Sequence, residues 1–194
     1  MIKVFLDANI LYSNTSRSLF VWLHVNGIIE IYWSYDVWQE VFEAFRKNQP
    51  AEHNRIRKSL TERLISAYPE CLVSTSKFQA MGLKDPKDEH VLAYASACGA
   101  DYIVTNDNIL INDSNAIGSW LLMTADRFLV KVLVPVSPLG LIQAACDHIA
   151  HSPKSRPTTD RYILSLHKAQ LVEFADWLHA QRNLGNLFKE IWGL

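Results

Sequence analysis

The sequence predicts an α/β fold with a central parallel sheet, helices on both faces and a helical C-terminal extension. Three observations lead there. Two short apolar runs, IKVFLD and ADYIVTND, each end in an acid. Segments of helical period separate the strand-like runs. From about residue 136 onward the strand signal stops and only helical spacing continues, so the chain divides into a βα-alternating body over 1–135 and a helical extension over 136–194.

The opening IKVFLD reads as a buried strand that stops at Asp7, with Asn9 beside it. Residues 15–26 carry apolar positions at helical spacing up to Gly27, a natural C-terminal cap, and IIEIYWS over 28–34 follows as a second strand. From Tyr35 a helix places Val37, Trp38, Val41, Phe42 and Phe45 on one side, with Glu40 and Glu43 a turn apart; a basic helix over about 51–67 comes next. CLVST over 71–75 is a third strand candidate. Asp85 suits a cap, Pro86 a first turn and Gly99 the end of a helix reaching Cys98. ADYIVTND then repeats at Asp107 the situation of Asp7. WLLMTADRFLVKVLV is a short strand passing into a helix capped by Thr124, and Pro135 and Pro138 are expected to break it. Helices are expected over 139–150, about 159–181 and 184–193, with HSPKSRPTT as a linker.

Composition narrows the class. The 194 residues are 49% hydrophobic and 20% charged, enough for one substantial core. An acid at position 7 interrupts any signal-peptide pattern and no apolar run reaches the length of a membrane span, which points to a cytoplasmic protein. Cys71, Cys98 and Cys146 are scattered and unpaired in sequence, so they read as buried thiols rather than a disulfide framework or zinc site. Net charge is −1, without the basic excess of a nucleic-acid coat. The charge is nevertheless local: RKNQPAEHNRIRKSLTER holds Arg46, Lys47, Arg55, Arg57, Lys58 and Arg63 against Glu52 and Glu62. That stretch is either a solvated helix face or a phosphate-binding surface.

Sites in open α/β sheets form outside the carboxyl ends of strands. Asp7 and Asp107 end strands there, while Asp88 and Glu40 lie in the first turns of helices that follow strands. Each acid also has a purely structural role open to it. Asp7 can close a turn with Asn9, Asp107 one before Asn108, and Asp88 can serve the helix dipole behind the Asp85 cap; Glu40 can be a surface residue, with Glu43 as its competitor. Four such roles have no reason to converge, whereas four carboxylates at one point repel and call for a cation, Mg²⁺ or Mn²⁺, bound through oxygen. Such an ion can activate water against a phosphodiester without a nucleophilic side chain.

With these residues on the page the sequence resembles the PIN-domain proteins, and among them the VapC-like bacterial group. The likeness lies in FLDANIL, in SYDVWQEV from Ser34, in DPKDEHVLAYASACGADYIVTND from Asp85, and in TADRFL from Thr124. The resemblance implies a doubly wound α/β/α sandwich over about residues 1–134. It implies that Asp7, Glu40, Asp88 and Asp107 bind Mg²⁺ or Mn²⁺ and hydrolyse RNA, with Asn9 and Thr105 orienting them. It further implies a toxin held by a cognate antitoxin, and a homodimer. Asn106 stands where the family usually has Gly, and as an Asn it is expected to keep a positive φ. On this reading Arg46, Lys47, Arg55, Arg57 and Lys58 grip RNA phosphates.

Three alternatives stay open. An aspartate-dependent phosphatase wants a second acid two residues after its nucleophile, where this chain has Asn9. A catalytically silent PIN-like module would bind RNA or protein without cutting, though it would not need all four acids. In the extension, the stripe Ile163, Leu166, Leu171, Phe174, Trp177 and Leu178 is packed core or a partner interface, and His148, His151, His167 and His179 are expected at the surface without His-x-x-x-His spacing.

Overall fold

The structure is a computed structural model and describes residues 1–74, 82–113, 121–152 and 157–181. Its strands are β1 (Ile2–Leu6), β2 (Ile29–Ser34), β3 (Leu72–Val73), β4 (Tyr102–Val104) and β5 (Leu121–Met123). Its helices are α1 (Ala8–Tyr12), α2 (Asn14–Val25), α3 (Tyr35–Asn48), α4 (His53–Leu60), α5 (Glu89–Cys98), α6 (Asn108–Ile111), α7 (Ala125–Phe128), α8 (Val134–Val136), α9 (Pro138–Ala150), α10 (Thr159–Lys168) and α11 (Val172–Gln181). Two compact units form, Met1–Tyr12 with Ile29–Met123, and Ser13–Ile28 with Thr124–Leu194.

The first unit holds the sheet, in the order β3-β2-β1-β4-β5 with every pairing parallel. Flanked by helices, it has the α/β/α architecture expected. Val4, Phe5 and Leu6 of the central strand are wholly buried, the signature of a parallel strand without a solvent face. Helix α5 lies against β1 to β4, and its Tyr94 ring stacks on Phe5 at 6.3 Å. Ser34, the last residue of β2, accepts the Val37 N–H at 3.2 Å, so the strand turns directly into α3.

The second unit is helical. Helix α2 packs on α9 and α10 on α11. Asp126 accepts the Glu173 and Phe174 N–H groups at 2.9 and 2.8 Å, satisfying the start of α11 from another helix. Ile163, Leu166, Leu171, Phe174 and Leu178 are buried, so the stripe is core, while Trp177 is half-buried.

Several expectations are corrected. The helix expected over 51–67 is α4 continued by a π-helical turn, Thr61–Ile65. Pro135 does not break the helical path, but the break expected at Pro138 is there: Ser137 leaves helical geometry at φ −150° and ψ 58° between α8 and α9. Pro135 sits at the start of α8 after a second π-helical turn, Leu129–Leu133, and Pro138 opens α9, where a missing N–H costs nothing. The helix expected over 159–181 is two, parted at Gln170, whose φ is 63°. His148 is buried, at 3.1 Å from the Tyr162 hydroxyl that supplies its polar partner, and burial first, then Arg17, pushes its pKa down to about 4. Cys71 and Cys146 are buried thiols as expected, but Cys98 is only half-buried. The 184–193 helix, Thr75 of the third strand, Trp120 and linker residues 153–156 fall outside the described residues. Among those described, no helix is long and apolar enough to cross a membrane.

Gly99 ends α5 with φ 64°, and a Cβ there would meet nothing within 4 Å. Replacement therefore tests backbone strain alone. Gly99→Ala is expected to lower stability by about 1–2 kcal/mol, read from urea midpoints.

Candidate active site at the carboxyl edge of the sheet

The register Leu6↔Val104 puts Asp7 and Thr105 side by side as the two central strands end. The Asp7 N–H donates to Val104 O at 3.1 Å and the Thr105 N–H to Met123 O at 3.1 Å, carrying the ladder one residue past each strand. Asp7 is buried, and its carboxylate is surrounded by donors. Oδ1 accepts from the Ala8 N–H at 2.6 Å; Oδ2 accepts from the Thr105 hydroxyl and from Asn9 Nδ2, both at 2.6 Å. Asn9 reaches further, its Oδ1 taking the Asn106 N–H at 2.9 Å. Thr105 Oγ1 in turn accepts the Asp107 N–H at 3.0 Å. Asn9 and Thr105 thus join Asp7 to the turn that carries Asp107. Asn106 does not take the positive φ expected of it, since its N–H bond to Asn9 fixes the turn instead.

Asp107 is also the N-cap of α6: its Oδ1 accepts from Ile109 and Leu110 at 2.7 and 3.3 Å. Asp85 caps the turn Pro86–Asp88 by accepting the Lys87 N–H at 2.9 Å, and Asp88 follows where that turn passes into α5. The buried Asp113 accepts the Lys84 N–H at 2.6 Å, tying the approach to this turn to the end of α6. Glu40 lies on the second turn of α3.

The acids share one electrostatic environment. Burial pushes the Asp7 carboxyl above its ordinary range against the Thr105 and Ala8 hydrogen bonds, and Asp107 adds to the rise. Burial lifts Asp88 to about 6, with Asp7, Asp85 and Asp107 contributing. Glu40 is raised by burial; His90 opposes this, and Asp7, Asp88 and Asp36 add to it. Glu43 faces elsewhere: it is exposed and paired with Arg46 at 2.7 Å, which holds its carboxyl low. Asp7 thus lies within electrostatic reach of Glu40, Asp88 and Asp107, with Asn9 and Thr105 bonded to it, while Glu43 pairs with Arg46.

The basic stretch is less basic than its sequence. Arg46 pairs with Glu43, Arg55 with Glu52 and Lys58 with Glu62, all on exposed side chains. Arg57 lies over the Phe42 ring at 5.4 Å, and Lys47 is exposed.

Sequence reasoning missed His90. Its Nε2 is 3.5 Å from Glu40 Oε1, and one helical turn on, the Tyr94 hydroxyl donates to Asp36 Oδ2 at 2.7 Å. Asp36 and Glu40 on α3 thus face Tyr94 and His90 on α5 in two rungs. The i, i+4 spacing on both helices was readable, but the facing was not.

A parallel sheet of this order, with acids collected beyond its central strands, defines a doubly wound α/β protein with its polar chemistry at the strand ends. A family model described as PIN domain matches residues 3–109, more than half of the chain and all four acids, and the chain belongs to the PIN-domain family. PIN domains are typically nucleases that use divalent metals. Comparison with curated proteins and with solved structures finds no match.

Thr105 is fully buried between two acids, so Thr105→Val strips a donor from Asp7 and an acceptor from Asp107. It is expected to cost about 1–3 kcal/mol in urea unfolding, with Thr105→Ser close to wild type. A pH test follows from Asp88. Its folded pKa, about 6, lies above the ordinary 3.8, so the folded state binds this proton more tightly than the unfolded one. The resulting stabilisation is complete below the unfolded pKa and is lost as pH rises through about 6. Without divalent ions, Asp88→Asn should gain stability relative to wild type as pH goes from about 4 to 7, measured as the difference in unfolding midpoints.

Proposed function

We propose that this chain is a divalent-metal-dependent endoribonuclease, the toxin of a type II toxin–antitoxin pair. The observation that supports the catalytic part is that Asp7 lies within electrostatic reach of Glu40, Asp88 and Asp107, and that Asp7, Glu40 and Asp88 have a raised proton affinity which the repulsion between acids helps to create. An all-oxygen donor set with uncompensated negative charge fits Mg²⁺ or Mn²⁺. No three of the four bring carboxylate oxygens within 4.8 Å of one another. At this spacing an ion would touch one or two directly and keep waters as its other ligands, as Mg²⁺ commonly does.

When bound, the ion supplies acidity to a water and positive charge to the phosphodiester. The chain's own residues do the positioning. Asp7 is held by Thr105, Asn9 and the Ala8 N–H, leaving it little freedom to turn away from a cation. Asp88, partly exposed where a turn passes into α5, and Glu40, exposed on the second turn of α3, are the acids that can adjust. Lys47 and Arg57, which have no acidic partner among the described residues, suit RNA phosphates better than Arg46, Arg55 and Lys58. The toxin assignment, with its cognate antitoxin and homodimer, rests on the likeness of the FLDANIL and 85–107 segments to VapC-like chains.

Purified protein is expected to cut a mixed RNA pool with Mg²⁺ or Mn²⁺ and not with EDTA, and Asp7→Asn to cut at least about 100-fold more slowly. Induced in bacteria without an antitoxin, wild type should arrest growth and Asp7→Asn should not. Equal inertness of both proteins in every metal would instead favour a binding module.

A further inference from the structure

We propose that His90 is a nitrogen ligand of the metal, joining Glu40 through Nε2 and biasing the site from Mg²⁺ towards Mn²⁺. The inference rests on the metal-nuclease reading above and adds to it a donor outside the four acids. Three observations carry it.

First, the ring is oriented by its other nitrogen. Nδ1 lies 2.5 Å from the Lys87 carbonyl oxygen, which can only accept, so a neutral ring has its proton on Nδ1 and presents a lone pair at Nε2. Metal-bound histidines are oriented in the same way, the second nitrogen donating to a carbonyl or carboxylate. Second, Nε2 is buried and makes no hydrogen bond. A buried polar atom without a partner is costly unless something absent from the protein chain completes it. Third, Nε2 stands 3.5 Å from Glu40 Oε1. Two adjacent ligands of an octahedral ion are about 3 Å apart, so a small side-chain rotation lets both reach one ion. The Tyr94–Asp36 rung beside them fixes how α3 and α5 face each other, and with that the Glu40–His90 pair.

Imidazole nitrogen suits transition ions, whereas Mg²⁺ prefers carboxylate and water. His90→Gln, which substitutes an amide oxygen, should therefore weaken Mn²⁺ binding about 10–100-fold in calorimetry and lower the Mn²⁺-to-Mg²⁺ preference about tenfold. The direct readout is pulsed EPR of the Mn²⁺-loaded full chain. A ¹⁴N coupling that becomes ¹⁵N when histidine alone is ¹⁵N-labelled establishes histidine ligation in the wild type without any variant, and its loss in His90→Gln assigns it to His90. Mn²⁺ bound with no histidine coupling would overturn this proposal, reducing His90 to an ion-pair partner of Glu40, and would leave the metal nuclease standing. Absence of any Mn²⁺ or Mg²⁺ binding would overturn both.

Discussion

The site depends on one hydrogen-bonded carboxylate, Asp7, set where two parallel strands finish together. Burial opposes its charge, and the Thr105 hydroxyl, the Asn9 amide and the Ala8 N–H restore part of what water would have supplied, yet burial still prevails and the carboxyl stays above its usual range. Chain connectivity explains the arrangement. Strand β1 is central, so its carboxyl end is flanked by both neighbours, and the side chain placed there meets groups distant in sequence. Thr105 arrives from β4 through a register that the ladder fixes, and a slip of one residue would turn its hydroxyl to the opposite face.

The same small network also orders its surroundings. Thr105 accepts the Asp107 N–H while donating to Asp7, and Asn9 binds the Asn106 N–H. A helix start, a strand end and a turn are thus coupled through two side chains. The structural roles available to Asp7 and Asp107 are real, since one carboxylate accepts the Ala8 N–H and the other caps α6. These roles do not compete with a common site. A carboxylate has more acceptor positions than a cap uses, and capping holds it still.

Legibility followed the range of the interaction. The short apolar strands and the helices with clear caps were readable because their determinants are local: Thr124 before α7, and Asp85, Pro86 and Gly99 around α5. The positions of Asp7 and Asp107 were readable because strand ends mark where a parallel sheet meets solvent. What failed was decided elsewhere in the molecule. Leu171, buried, draws the chain into a turn at Gln170 that helical periodicity alone runs through. His148 goes inside because Tyr162 is there to meet it. Three cations of the basic helices are paired with acids three and four residues away, a pattern visible in sequence, whereas the pairing itself is settled by side-chain geometry. His90 lay two residues from Asp88, yet nothing local says that α3 turns Glu40 towards it.

The raised proton affinities show what the acids lack. Folding has placed carboxylates where each penalises the ionisation of the next, and His90 offsets this for Asp7, Glu40 and Asp88 only in its protonated form. A cluster selected only for stability would have dispersed these charges or matched them with arginine. Protons relieve the repulsion at low pH, and a divalent cation can relieve it near neutrality by competing for the same oxygens, which links metal affinity to pH with a definite sign: affinity rises as the carboxyls lose their protons. Because the most constrained acid, Asp7, lies deepest, while Asp88 at the start of α5 and Glu40 on the second turn of α3 are more exposed, a fixed anchor is paired with adjustable partners. On the proposed metal-nuclease reading, that division suits an ion that must hold its place while a phosphodiester enters and its cut ends leave.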